Sequence, residues 1–216
     1  MLLDVLFSII FILSIYYLIR YRLNIKKAAD LTNNAIFPQR EEEFQSILVP
    51  GEWKEMQPLS KDTRSYKYVE WGTLAAMLFI LIIVVAVLTS DFLGSSFFSI
   101  AYILFAIIRI VQHRGNFYVL SNGIILHGRY YSFRQVKAYE IEQIIRWHDL
   151  YGLDDRLNNS YKLTIKVKSV FPQQNFVVIE DKTNLEKIIA LLRQNWITGT
   201  EQPATTSSLD SNFINK

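Results

Sequence analysis

The feature that most constrains this chain is an uninterrupted apolar stretch near its middle. No charged residue occurs from Gly72 through Ser90, and 11 of the 15 residues from Leu74 to Leu88 are Leu, Ile, Val or Phe. At roughly −0.3 to −0.6 kcal/mol each near the centre of a helix, these side chains favour membrane insertion by about 3 to 7 kcal/mol. The stretch therefore predicts a transmembrane helix, and we expect an integral membrane protein.

Two further apolar stretches lie on either side of this central one, and we number the three in chain order. Leu2 to Ile19 would cover about 27 Å of a hydrocarbon core that is roughly 30 Å thick. The other, Phe97 to Val111, is shorter and needs its neighbours to reach spanning length. Together the three stretches predict transmembrane helix 1 in residues 1–22 and a helical hairpin of helices 2 and 3 in residues 69–112.

Basic residues flank each apolar stretch on one side only, which predicts the topology. They are Arg20, Arg22, Lys26 and Lys27 after the first stretch, Lys61, Arg64 and Lys67 before the second, and Arg109 and Arg114 at the end of the third. Cations within about 15 to 20 residues of a span are retained in the cytoplasm. A secretory signal would carry its cations before the apolar run, so the first stretch is expected to stay as an anchor. We expect a multi-pass cell-membrane protein with its N-terminus outside and a cytoplasmic C-terminal domain.

Composition excludes several classes of function. Residues 20–67 carry 9 Lys and Arg against 7 Asp and Glu, and residues 113–198 carry 12 against 8, which is too weakly basic for nucleic-acid binding. The chain has no cysteine, so disulfides and Cys-ligated metals are excluded. Phosphate-loop, nucleophile-elbow and zinc-protease motifs are also absent from the sequence. We therefore expect no enzyme activity and no cofactor.

Residues 23–68 form a polar stretch that Pro38, Pro50 and Pro58 interrupt, with an acidic run from Glu41 to Glu43. The stretch is too short for an independent domain. We expect a cytoplasmic loop, which is either a solvated connector or packs in part on the C-terminal domain or the membrane interface.

From Asn116 onward the pattern changes to strand period and turn chemistry. Strands are predicted at 117–120, 124–128, 130–133, 138–147, 161–168 and 174–180. Asn122-Gly123 is expected to supply the positive φ of a tight turn between the first two. Residues 199–216 are rich in Thr, Ser and Asn and predict a disordered tail.

A helix is predicted after the last strand. Thr183 and Glu186 have the spacing of a capping box. One face of the helix would carry the apolar residues Leu185, Ile188, Ile189, Leu192 and Trp196. That face is expected to cover an open end of the sheet.

This succession of about five or six antiparallel strands and one C-terminal helix in residues 113–198 resembles a pleckstrin-homology-like (PH-like) domain. The segment FYVLSNGIILHGRYYSFRQVKAYEIEQI is similar to the start of the PH-like domain in membrane-anchored bacterial proteins of the YcxB-like type. Phe133, Val136 and Tyr139 stand at the aromatic, aliphatic and tyrosine positions of that pattern. The resemblance implies a cytoplasmic α+β domain, with an antiparallel sheet or partly open barrel, attached to transmembrane helices. It implies no catalytic residue.

An acidic cluster in residues 147–155 is the first candidate site. His148, Asp149, Asp154 and Asp155 fall within eight residues there, and carboxylate oxygens are ligands that divalent cations prefer. The spacing does not match a calcium-binding loop, so a solvated turn is the favoured interpretation.

A basic surface is the second candidate site. Strict alternation over residues 161–168 places Lys162, Lys166 and Lys168 on one face of a strand. Arg129, Arg134 and Lys137 precede them on the neighbouring segments. These six cations are the candidate contacts for anionic lipid headgroups or for a protein partner, and a merely solvated face is the alternative.

We therefore expect a membrane-tethered PH-like binding or regulatory module at the cytoplasmic face. The alternative is a small accessory subunit of a membrane complex, in which the transmembrane helices make the specific contacts. Gly72 and Ala76, four residues apart, would permit close helix approach.

Overall fold

The computed structural model describes residues 2–89, 93–111, 115–168 and 175–202. Within them the chain forms five α-helices, which are α1 (Leu2–Leu31), α2 (Glu41–Gln45), α3 (Arg64–Thr89), α4 (Leu93–Val111) and α5 (Lys182–Gln194). It also forms nine strands, which are β1 (Ala35–Phe37), β2 (Ile47–Leu48), β3 (Phe117–Leu120), β4 (Gly123–Leu126), β5 (Arg129–Ser132), β6 (Val136–Gln143), β7 (Tyr161–Val167), β8 (Phe176–Ile179) and β9 (Gly199–Gln202). The chain divides into a helical unit of Met1–Asp30 and Leu59–His113, and a sheet unit of Leu31–Pro58 and Arg114–Lys216.

Two helices of the helical unit, α1 and α3, are long and apolar enough to cross a membrane, judged by length and composition. The third helix, α4, packs against α3 and contains a shorter apolar segment, Phe98–Ile108. Large apolar side chains such as Ile12, Leu78 and Phe98 are exposed on these helices. Lipid tails are as apolar as Leu, so such a surface suits a bilayer. The first two predicted spans thus correspond to helices that can cross a membrane.

Helix α1 continues to Leu31, well beyond residue 22, where the first predicted span ends. The added turns contain Ala28, Ala29 and two lysines, which favour helix, and Ile25 and Ala28 are fully buried. Arg22 of α1 pairs with Glu70 of α3, with 3.3 Å between Nη2 and Oε1. The first part of the predicted loop is therefore helical.

The sheet unit contains two sheets with the strand orders β1-β3-β4-β5 and β2-β8-β7-β6-β9. All neighbouring strands are antiparallel except β6 and β9, which are parallel. The predicted strands correspond to β3 through β8, with ends shifted by a few residues; Gln174 lies outside the described residues. Phe37, Tyr118, Tyr139, Ile165 and Ile188 are fully buried in the core.

Residues 31–58 complete both sheets of this unit. β1 pairs with β3 through Ala35 and Leu120, and β2 pairs with β8 through Ile47 and Ile179. Of the arrangements left open for residues 23–68, the structure shows packing on the C-terminal domain, and a solvated connector is wrong for residues 31–58. The solvated-connector interpretation fails because β1 and β2, both from this segment, form edge strands of the two sheets.

Glu43 joins α2 to α5. Its almost fully buried carboxylate accepts hydrogen bonds from the backbone N–H groups of Gln39 (2.6 Å) and Arg40 (3.2 Å), and it pairs with Lys187. Burial alone would raise the pKa of Glu43. The backbone and Lys187 hydrogen bonds outweigh burial, so this pKa lies below its ordinary value of 4.5.

Helix α5 begins two residues earlier than a Thr183 cap would require. Asp181 is the N-cap, and its carboxylate accepts from the N–H groups of Thr183 (3.1 Å) and Asn184 (3.3 Å). The predicted capping box of Thr183 and Glu186 is therefore wrong, because Thr183 lies inside the helix, two residues after the N-cap.

The apolar face of α5 is confirmed except at its end. Leu185, Ile188, Ile189 and Leu192 are buried. Trp196 lies beyond the helix, has a φ of 62° and is 93% exposed. The expectation that Trp196 packs in the core is wrong, because the helical spacing stops at Gln194.

The predicted disordered tail is corrected for its first residues, since Gly199–Gln202 form β9 beside β6. A Cβ on Gly199 would lie 2.0 Å from the Tyr139 ring, so a side chain there would collide with the core. Residues 203–216 lie outside the described residues.

Gly123 has a different role from the one predicted. It lies in β4, and a Cβ there would meet the Tyr131 carbonyl oxygen at 2.3 Å. Glycine is therefore required because the neighbouring backbone is close, and its φ is not positive. The positive φ values belong to the next turn, at His127 (50°) and Gly128 (74°).

Candidate functional site

The loop between β6 and β7, residues 144–160, covers part of the second sheet. Its ends are joined by backbone hydrogen bonds from Ile144 N–H to Ser160 O (2.8 Å) and from Asn159 N–H to Ile144 O (2.9 Å). Compact loops whose ends meet in this way are frequently functional. We refer to this segment as the 144–160 loop.

The inner side of the 144–160 loop is apolar. Its buried cluster consists of Leu48, Ile144, Leu157 and Val178, with Trp53, Leu150 and Phe176 packed against it. Leu48 and Trp53 belong to residues 31–58, so that segment forms part of the surface on which the loop packs.

His148 fixes the middle of the loop. Its Nδ1 accepts a hydrogen bond from Leu150 N–H (3.0 Å), so Nε2 carries the proton and donates to Glu142 Oε2 (3.1 Å). The same oxygen accepts from Lys162 Nζ (2.9 Å). Burial would raise the pKa of Glu142, but the bonds from Lys162 and His148 outweigh it and hold this pKa below its usual range. Nε2 of His148 thus holds the loop on β6, and Nδ1 fixes the backbone within the loop.

Arg156 fixes the far end of the loop. Nε and Nη2 donate to the two carboxylate oxygens of Glu180, at 2.8 and 2.5 Å. Nη1 donates to Glu55 Oε1 (3.0 Å), and Nη2 also donates to Gln45 O (3.1 Å). The hydrogen bonds with Glu180 are the main reason that the pKa of Arg156 is raised. The guanidinium of Arg156 therefore connects the 144–160 loop to residues 31–58 and to Glu180 after β8.

Three large apolar side chains point into solvent from this anchored loop. Trp147 is 74% exposed, Leu153 is 58% exposed and Tyr151 is 40% exposed. Gly152, with a φ of 77°, donates its N–H to Asn158 Oδ1 (2.9 Å) and fixes the turn between Tyr151 and Leu153. Trp and Tyr are enriched among the residues that contribute most to binding at protein interfaces.

The side chains of the predicted acidic cluster have separate roles in the structure. Asp154 caps a short 3-10 turn by accepting from Arg156 N–H (2.9 Å), while Asp149 and Asp155 are exposed. Among the described residues, no group of three or more His, Cys, Asp and Glu side chains is placed to hold a metal ion. The carboxylates instead give the exposed rim of the loop a negative charge, offset in part by Arg146.

An open groove of about 760 Å³ lies beside Arg156, between α2 and residues 53–58. Its walls mix apolar with charged side chains, and among these Arg156 pairs with Glu55 and Lys54 pairs with Glu52. Both cations that line the groove are therefore ion-paired.

The structure separates the predicted basic surface into two groups, of which the first is ion-paired. Alternation along β7 is confirmed, since Leu163 and Ile165 are buried. On the opposite face, Lys162 pairs with Glu142 and Lys166 pairs with Glu140, both carboxylates lying on the neighbouring β6. These two lysines therefore do not form an open cationic surface.

The second group is not ion-paired. Arg134, Lys137 and Lys168 are exposed, and within the described part of the chain none of them forms an ion pair. Their backbones lie together, because Lys168 N–H donates to Gln135 O at 2.7 Å. We call these three residues the basic corner. Arg129 is half-buried in β5 and engaged in other interactions, so it is not included.

Sequence reasoning missed Trp147, Tyr151 and Leu153 because it extended the strand through Trp147. The structure ends β6 at Gln143. The loss of alternation after Ile145, together with Gly152, is the signal in the sequence that marks a loop.

Compared with protein-family models, curated proteins and solved structures, the chain matches none.

Proposed function

We propose that this chain is a membrane-tethered binding module. Its apolar helices anchor the sheet unit at the cytoplasmic face of the cell membrane, and the 144–160 loop docks a protein partner. The single observation that carries the proposal is the fixed exposure of Trp147, Tyr151 and Leu153. A loop tied down by His148 and Arg156 has lost its conformational freedom before binding, which lowers the entropy cost of association.

The sheet unit is assigned a PH-like fold in this proposal. Support comes from two mostly antiparallel sheets followed by a C-terminal helix whose apolar face is buried. Val136 and Tyr139, two positions of the PH-like pattern, are buried as structural positions should be. Two strands, β1 and β2, would then be an addition contributed from between the first two spans.

The proposed topology has three spans, with α4 as the third. α4 has 19 residues, which corresponds to about 28 Å of helix and approaches the thickness of a hydrocarbon core. The cations that flank the apolar stretches support an external N-terminus and a cytoplasmic sheet unit.

A protein suits the 144–160 loop better than an anionic bilayer does. Asp149 and Asp155 are exposed on the same loop as Trp147, and negatively charged headgroups would repel them. An apolar pocket with a basic rim on a partner protein would complement both features. The proposal gives the loop no catalytic role, because His148 uses both ring nitrogens to hold it.

Two exposed tryptophans allow a matched test. A photo-crosslinking amino acid placed at Tyr151 in the full chain, in native membranes, should capture a defined protein. Trp147→Ala should lower that capture by about 30-fold, the effect of losing an interface anchor worth roughly 2 kcal/mol. Trp196→Ala removes a 93% exposed tryptophan outside the loop and should change little. Equal capture in both variants contradicts the proposal.

The accessory-subunit alternative makes the opposite prediction. Replacing the apolar helices by unrelated spans should then abolish capture, and Trp147→Ala should leave it intact. Ala76 is buried, so the Gly72 and Ala76 spacing does not present an open face for another helix.

A further inference from the structure

We infer that the basic corner, formed by Arg134, Lys137 and Lys168, binds the headgroups of anionic lipids in the membrane that holds the chain. This contact is distinct from the proposed protein contact of the 144–160 loop, and its cations belong to different segments.

The backbone of the basic corner is well defined. Arg134 lies in a 3-10 turn that connects β5 to β6, and Gln135 Oε1 accepts hydrogen bonds from Ser132 N–H (3.1 Å) and Oγ (3.3 Å). Val136 at the start of β6 pairs with Val167 at the end of β7. The cations are therefore carried by a turn and two paired strand ends.

Local charge distinguishes the basic corner from the lysines of the same sheet. Lys162 and Lys166 each face a glutamate on β6, whereas the cations of the corner have no such partner in the described residues. Residues 169–174, which follow Lys168, contain no acidic residue in the sequence. The corner thus keeps a net charge of three, counting one for each cation.

Anionic lipid is the occupant that this arrangement favours. A layer of headgroups offers many negative charges and needs no shaped pocket, so three cations on adjacent backbones suffice. Each cation near such a surface strengthens binding roughly fivefold, and three give on the order of a hundredfold. That contribution is weak for a free domain but sufficient for one tethered to the bilayer, where the effective concentration of headgroups is high.

The absence of cysteine from the chain allows a direct test with the full-length protein. Ser121→Cys places a fluorophore on an exposed turn, whose next residue, Asn122, accepts a hydrogen bond from Phe133 N–H beside Arg134. The labelled protein is reconstituted in nanodiscs that carry nitroxide-headgroup lipid as a quencher. One set contains phosphatidylglycerol and the other only phosphatidylcholine.

We expect strong quenching with phosphatidylglycerol, weak quenching with phosphatidylcholine, and loss of the difference at high salt. The variant R134Q/K137Q/K168Q should lose most of the lipid-dependent quenching. The control K54Q/K166Q/K182Q removes the same charge from three lysines that each have a glutamate partner, and should keep it.

Three results would overturn the inference. They are equal quenching in the two lipids, lipid-dependent quenching that persists in R134Q/K137Q/K168Q, and no quenching in either lipid. The last result would point to an acidic protein as the occupant. The salt dependence is measured on the labelled chain that keeps all its cations, so it does not rely on the folding of any charge variant.

Discussion

The two units of this chain differ in how far apart along the sequence their parts lie. Each helix of the helical unit is one continuous apolar segment, so its existence follows from local composition. The sheet unit joins residues 31–58 to residues beyond 114, as the pairing of Ala35 with Leu120 and of Ile47 with Ile179 shows. Helix formation is thus encoded locally here, whereas the fold of the sheet unit depends on pairing across the intervening helices.

The first prediction concerns residues 31–58 and has the largest expected effect. A fragment of residues 115–202 alone should not unfold cooperatively. It lacks Phe37, Ile47, Leu48 and Met56, which are all almost fully buried. Large core side chains are worth about 2 to 5 kcal/mol each, and four of them exceed or match the whole stability of most domains.

The matched control restores the missing segment. Phe117 N–H donates to Met56 Sδ at 3.1 Å, so residues 56–58 end near the start of β3. A flexible linker of about six residues can then join Pro58 to Gly115. This joined sheet unit should show a cooperative urea transition by circular dichroism. An equal transition in the shorter fragment would mean that residues 31–58 are dispensable.

The sequence was a good guide to the sheet unit wherever one residue pattern decided the structure. Alternation in β7 and the apolar face of α5 both correspond to buried positions. The roles of Gly123 and Gly199 are not predictable from their own segments, because each depends on how closely a carbonyl or a ring of the neighbouring strand approaches. For residues 31–58 the sequence allows several arrangements, because a short polar segment does not show which strands it pairs with.

The candidate site shows the same limit. Alternation placed Lys162, Lys166 and Lys168 on one face, and β7 is built that way. Whether a lysine is available depends on the residue opposite, and only the β6 register places Glu142 against Lys162. The exposure of Trp147 was likewise set by contacts outside its own segment, including those of Arg156 with Glu55 and Glu180.

The second prediction compares a residue in the middle of α5 with one just beyond its end, both in the joined sheet unit. Ile188→Ala should lower the free energy of unfolding by about 2 to 5 kcal/mol, because Ile188 is fully buried. Trp196→Ala should lower it by less than about 0.5 kcal/mol, the usual range for exposed positions. Urea denaturation measures both. A large loss at Trp196 would show that this side chain packs on the sheet and that the helical pattern extends past Gln194.

The third prediction uses Glu43, which links residues 31–58 to α5, and its effect is smaller. Glu43→Gln in the joined sheet unit removes the charge that Lys187 faces and should cost about 1 to 3 kcal/mol at neutral pH. The pKa of Glu43 is lower in the folded state than its ordinary value of 4.5, so its contribution is present above that value. It is lost as the pH falls through the folded pKa. Urea midpoints of the two proteins should therefore differ most above about pH 5 and converge in acid.

Glu186→Gln is the matched control, since it removes an exposed carboxylate of α5 that lies 3.8 Å from Lys182. Exposed pairs of this kind contribute about 0 to 1 kcal/mol, so the control should follow the parent protein closely at every pH. Glu142, whose pKa is also lowered, keeps an acid dependence of its own in all three proteins. If the urea midpoint of Glu43→Gln differs from that of the parent protein by the same amount at every pH down to acid, the carboxylate charge does not stabilise the link. Residues 31–58 would then be held to the sheet unit by strand pairing and apolar burial alone.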